Sequence, residues 1–154
     1  MTTTAPPVDG RAIGLAHYAS RAVLESVLTR HGITFQQSVA LRLVAVADGP
    51  VDRARLVGDF TSSLKTGRPE AEGVVDGLIT AGLLTPDEHG HALVRITDAG
   101  RKLHGTTSAE SRVISARIYA GIPSYELAVT GRVLATVAER ADRELAAAAA
   151  PQDQ

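Results

Sequence analysis

The segment His17-Tyr18-Ala-Ser-Arg21 places a histidine, a tyrosine and an arginine within five positions, among otherwise small apolar residues. On a helix, His17 and Arg21, four apart, share a face, while Tyr18 points elsewhere. A guanidinium pairs with a carboxylate through two parallel hydrogen bonds, so this face suits a small acidic ligand. The bland alternative is a partly buried histidine donating to a helix carbonyl. His89 and His91, two apart on a hairpin, would point the same way and form a weak metal pair; such histidines are more often solvated turn residues. With no cysteine and no third ligand set by spacing, no metal centre is expected. Catalysis finds equally little. There is no Gly-x-Ser-x-Gly elbow, no glycine-rich phosphate loop after a strand, and no carboxylate pair that stands apart from helix-surface acids. Neither an enzyme nor a cofactor is expected from these residues.

Composition narrows the class. The chain has 154 residues, 44% apolar but only 3% aromatic, so its core must be built from Leu, Val, Ile and Ala. Sixteen basic residues balance seventeen acidic ones, and any polyanion contact has to come from a local cluster. The absence of cysteine fits a reducing compartment. No apolar run approaches bilayer length, and Met1-Thr-Thr-Thr-Ala-Pro-Pro7 lacks the layout of a signal peptide. The expectation is a soluble, cytoplasmic protein with no membrane partner.

The elements that must position these residues follow from periodicity. Residues 1–10 read as a disordered tail, as do residues 151–154. Helical spacing runs from Arg11 to Arg30 (Ile13, Ala16, Ser20, Val23, Val27), with a second stripe at Leu15, Ala19, Ala22 and Leu24. A helix apolar over so much of its circumference needs two covering surfaces, one of them plausibly a second subunit. Gly32 ends it, and Thr34-Phe-Gln-Gln37 opens the next with a capping-box pattern. Asp48-Gly-Pro50 stops the second helix. Asp52 caps a short third one carrying Leu56, Val57 and Phe60, and a polar stretch, residues 61–68, follows. The fourth starts near Pro69 and ends at Gly82. Leu83–Thr85 and Ala92–Ile96 then read as two strands joined by Asp87-Glu-His-Gly90. A helix restarts at residues 97–100 and runs to about Ala150, broken at Gly121-Ile-Pro123 and recapped at Ser124. The expected fold is mainly α with a small β-hairpin wing. It is a winged helix-turn-helix lobe over residues 34–103, with dimerisation helices at 11–33 and 104–150.

At this point the chain resembles the multiple-antibiotic-resistance repressor (MarR) family, from about Arg11 to Leu145. The resemblance rests on four ordered stretches: Gly32-Ile-Thr-Phe-Gln36, residues 75–84, residues 95–101 and Gly121-Ile-Pro-Ser-Tyr-Glu-Leu127. It implies a homodimer joined through the terminal helices. It also implies binding of double-stranded DNA by the fourth helix and wing, and release by small, often aromatic, ligands held between the lobes. A small aromatic or carboxylated ligand would meet His17 and Arg21 on the first helix, with Phe35 and Gln37 at the start of the second and Tyr119 opposite.

The surface that would touch DNA is unusual. Residues 48–102 hold seven basic and nine acidic residues, a net of minus two where a positive lobe is expected. The outer face of the fourth helix shows Glu70, Glu72, Gly73, Asp76, Gly77 and Thr80, with glycines where the family usually has bases. The expected contacts are therefore few. Lys65, Arg68 and Arg95 would meet phosphate or base edges, Ser62, Ser63 and Thr66 would form hydrogen bonds, and Glu70 could accept from a cytosine amino group. The alternative is a member that has lost DNA and works through its pocket as a small-molecule-binding protein or enzyme. Gly73 and Gly77 are either a flat strip for close backbone approach or drift on a surface without a task.

Overall fold

A computed structural model describes residues 7–88 and 90–150, with the side chains of 90 and 91 left aside. The described residues form two compact units, divided between Ile114 and Ser115.

The first unit opens with α1 (Gly10–Arg30), capped by Asp9, whose carboxylate accepts from Ala12 N at 2.8 Å. It ends at Gly32 in the left-handed region, φ 73°. Helix α2 (Phe35–Ala45) carries both halves of the capping box: Gln37 N donates to Thr34 Oγ1 at 3.1 Å and Thr34 N to Gln37 Oε1 at 3.0 Å. Then come β1 (Val51–Asp52), α3 (Arg53–Leu64) and α4 (Arg68–Thr80). Asp52 caps α3 by accepting from Arg55 N at 2.8 Å. Helix α3 is longer than its apolar pattern indicates. Thr61, Ser62 and Ser63 lie in its last turn rather than in a loop, and Thr61 Oγ1 satisfies itself on the Gly58 carbonyl at 2.9 Å.

Strands β2 (Leu84–Asp87) and β3 (Gly90–Ile96) form the hairpin. The sheet has a third member that periodicity did not reveal: β1 pairs with β3, in the order β1-β3-β2, all antiparallel. Val51 faces Val94, and Leu84 faces Ile96. Pro86 is tolerated because β2 is an edge strand. The core joins α2, α3, α4 and the sheet through Leu41, Val44, Leu56, Phe60, Val75, Leu78, Leu84 and Val94, each at most 1% exposed. Burial of this apolar set, mostly aliphatic with Phe60 its largest member, holds the lobe together at ~25 cal/mol per Å².

Helix α5 (Asp98–Tyr119) starts against the sheet. Thr97 Oγ1 donates to Gly82 O at 2.7 Å and accepts from Gly100 N at 3.0 Å, tying the new helix to the end of α4. Gly100 is obligatory there, since a Cβ would fall on the Leu83 carbonyl oxygen and 2.9 Å from Ile96 Cγ1.

In the second unit the chain turns at Gly121, φ 80°, into α6 (Ser124–Ala149). The cap is Pro123 and not Ser124, which is already the first helical residue. Pro123 offers no side-chain hydrogen bond, and its carbonyl accepts from Glu126 N and Leu127 N at 3.0 and 3.2 Å. None of α6 is buried within the chain.

Candidate functional site

In the first unit a cavity of about 360 Å³ is lined by His17 and Arg21 of α1, Phe35 and Gln36 of α2, and Ser63, Lys65, Thr66 and Glu70 around the α3–α4 turn. Helical spacing thus puts His17 and Arg21 on one wall. Arg21 is engaged on two sides: its Nε donates to Glu25 Oε1 at 2.9 Å, and its guanidinium lies over the Phe35 ring, 4.5 Å from the centroid. Stacking and the ion pair orient the group while leaving other N–H donors of the fork for a ligand. The His17 and Tyr18 rings meet edge to face at 5.5 Å, and Tyr18 is not part of the lining.

Gln37 is a correction. Its side-chain oxygen accepts from Thr34 N in the capping box, which turns the side chain back onto the cap, and the cavity is lined by Gln36 instead. The signal was present in the sequence, because the same Thr34-x-x-Gln37 spacing that opens α2 directs that side chain to the cap. Tyr119, the last residue of α5, is half-exposed and belongs to the second unit.

A second cavity, about 260 Å³, shares Phe35 with the first and lies among α1, α2 and α5. Leu24, Leu28 and Val39 make it apolar, and Arg42, His104, Thr107, Ser108 and Ser111 add polar groups. Ser111 Oγ is buried without a hydrogen-bond partner, the one such side-chain atom among the described residues. Burial, reinforced by the Arg42 guanidinium, holds His104 below the ordinary imidazole value. Its polar residues were not singled out from sequence. The signal was a polar stripe at 104, 107, 108 and 111, a helical period on the face of α5 turned toward α1 and α2.

The expected DNA face falls on α3, α4 and the wing. Ser62 and Ser63 are exposed on the last turn of α3. Lys65 closes that helix in the left-handed region, φ 53° and ψ 41°, the one non-glycine residue with positive φ among those described. Thr66 Oγ1 donates to the Glu70 carboxylate. Arg68 Nε meets Glu72 Oε1 at 2.8 Å and Arg53 Nη2 meets Asp76 Oδ1 at 2.7 Å. Arg95 stands 3.9 Å from both Asp87 and Glu88. The acids counted in the sequence are thus set against the bases of the same face. Gly73 has open space where a Cβ would be, and Gly77 would meet Gln37 Nε2 at an ordinary 3.5 Å, so neither glycine is required by contacts within the chain. His89 and the His91 side chain lie outside the described residues. Among those described, no group of three His, Cys, Asp or Glu could hold a metal, and no helix is long and apolar enough to cross a membrane.

No protein-family model and no curated protein matches this sequence. Solved structures do match the fold. A MarR-family transcriptional regulator from Rhodococcus sp. RHA1 is 20% identical, with 82% of this chain and 90% of that one covered at a TM-score of 0.68. NadR in complex with 4-hydroxyphenylacetate is 25% identical over 85% of this chain and 96% of its own, also at 0.68. The Mycobacterium tuberculosis MarR-family protein Rv2887 in complex with DNA is 20% identical over 86% and 98%, at 0.64. The fold is that of the MarR-family winged helix regulators.

Proposed function

We propose that this MarR-type chain is a homodimeric, ligand-responsive transcriptional regulator. It grips double-stranded DNA with the end of α3, the start of α4 and the wing, and binds a small aromatic or carboxylated molecule at its first cavity. One observation carries the reading. The wall formed by His17, Arg21 and Phe35 and the turn carrying Ser63, Lys65, Thr66 and Glu70 line the same cavity, so a ligand there touches the DNA-contacting turn directly. At about 360 Å³ the cavity is large enough for one aromatic acid. Arg21 would hold the carboxylate, His17 would give or accept a hydrogen bond, and Phe35 would cover the ring. The solved relatives bound to DNA and to 4-hydroxyphenylacetate are consistent with both halves of this reading.

The test is a mobility-shift titration against the DNA flanking its own gene, at several salt concentrations, with and without aromatic acids. A specific complex weakened by an acid, and less so in His17→Ala, is the expected result. Absence of any complex at low salt would remove the DNA half. The acid–base pairing across the recognition face favours one competitor: a chain that has left DNA and works through its cavities alone. A thermal shift with aromatic acids but no DNA complex would establish it.

A further inference from the structure

Arg53, the first residue of α3, and Arg68, the first of α4, line one cavity of about 220 Å³ on the recognition face, with Glu72 and Asp52 also on its wall, the Asp52 carboxylate accepting from Arg55 N as the α3 cap. Each guanidinium contacts a carboxylate of α4 through one nitrogen, Arg53 to Asp76 at 2.7 Å and Arg68 to Glu72 at 2.8 Å. A guanidinium carries five N–H donors in a fixed fork, so each arginine keeps donors beyond those contacts. The pairs are open to solvent, with side-chain exposures of 29% and 66% for the first and 67% and 41% for the second. Ion pairs this exposed are held weakly and exchange readily for a better anion.

We propose that this cavity seats a backbone phosphate of duplex DNA between Arg53 and Arg68, and that Asp76 and Glu72 occupy the two guanidiniums until that phosphate displaces them. A phosphodiester presents two anionic oxygens, the geometry that two such forks satisfy. The carboxylates set the affinity of this seat by competing for the same donors. The proposal rests on the reading of this chain as a DNA binder, and it adds Arg53, Glu72 and Asp76 to the residues that determine binding.

The experiment is fluorescence anisotropy of labelled duplexes, one from the DNA flanking the gene and one of random sequence, titrated with the full chain at low salt. Glu72→Gln and Asp76→Asn should each tighten binding about two- to fivefold, the range that an exposed ion pair commands. Asp48→Asn makes the same charge change on an exposed residue outside the cavity and is the reference. In an Arg53→Ala background the gain from Asp76→Asn should vanish. Arg53→Lys, which keeps the charge but not the fork, should fall between wild type and alanine. Circular dichroism and melting temperature establish that each variant is folded.

Gains no larger than that of Asp48→Asn, or a gain from Asp76→Asn that survives Arg53→Ala, would overturn the seat while leaving the regulator reading intact. Protection of the melting temperature by inorganic phosphate through Arg53 and Arg68, without duplex affinity, would assign the seat to a free phosphate and overturn it as well. If neither wild type nor the two relieved variants bind either duplex, the seat and the DNA reading fall together.

Discussion

Two glycines in helices of this chain have opposite meanings, and substitution separates them. Gly100→Ala should destabilise the fold by at least about 3 kcal/mol, because the new methyl group collides with a backbone carbonyl that cannot swing away. Gly73→Ala meets nothing within 4 Å and should stabilise by about 1 kcal/mol, the helix-propensity difference alone. Urea denaturation of both variants checks the pair. The sequence pattern presents these positions alike, since the collision depends on where Leu83 and Ile96 end up. His104 adds a pH dependence. Its folded-state pKa is lowered by burial first and by Arg42 second, so the unfolded chain takes up a proton more readily. Its contribution is therefore fully present above the ordinary value of 6.5 and declines as pH falls below it. Glu110 acts elsewhere on the scale. Hydrogen bonds from His31 and then Arg30 hold its carboxyl below the ordinary 4.5, so that contribution is full above 4.5 and is lost progressively as pH falls from there through the lowered value. The denaturation midpoint should thus fall between pH 7.5 and 5.5, and His104→Gln should flatten that part of the profile.

Among the elements, capping chemistry was the most legible signal. The Thr34 box, the Asp52 cap and the glycines at 32 and 82 all stand where local spacing puts them, because each acts within four residues of itself. Thr34→Ala should cost about 1 kcal/mol, seen as a drop in midpoint with an unchanged slope in urea. What spacing could not convey is whatever a distant segment decides. Strand β1 is two residues long and has no period of its own; it exists because Val94 and Leu93 are beside it. The last turn of α3 is helical although its Thr-Ser-Ser sequence favours caps, since Leu64 extends the buried side and Thr61 finds a carbonyl within the helix. The cavity-lining groups divide the same way. His17 and Arg21 were legible as a helix face, whereas choosing between Gln36 and Gln37 required noticing that the capping box turns the Gln37 side chain back onto Thr34.

For the molecule as a whole, α6 poses the plainest question. Val129, Val133, Leu134 and Val137 are 39–46% exposed within the chain and recur at helical spacing, a stripe without cover in the isolated protein. The proposed dimer would cover it. Sedimentation should give twice the 16.1 kDa of one chain at micromolar concentration, and Val133→Lys should return the mass toward that of one chain. A stable folded monomer of wild type would contradict an obligate interface, which buries more than about 2,000 Å². The lobe was legible because a core of aliphatic residues announces itself by period, whereas pairing of charges across α3, α4 and the wing is set by tertiary approach.

The three-stranded sheet carries a practical consequence for lengthening the protein. Val51 and Asp52 hold β3 from one side while Leu84, Thr85 and Pro86 hold it from the other, so the register is secured below the irregularity at Pro86 and Asp87. Residues inserted beyond that point add loop without moving the anchored part. Each doubling of such a loop costs only about 0.6 kcal/mol in closure entropy. The hairpin is therefore a grafting point, where a longer, arginine-bearing tip can be spliced on while α2, α3 and α4 keep their packing. Such a chimera should melt within a few degrees of the parent and bind duplexes more tightly.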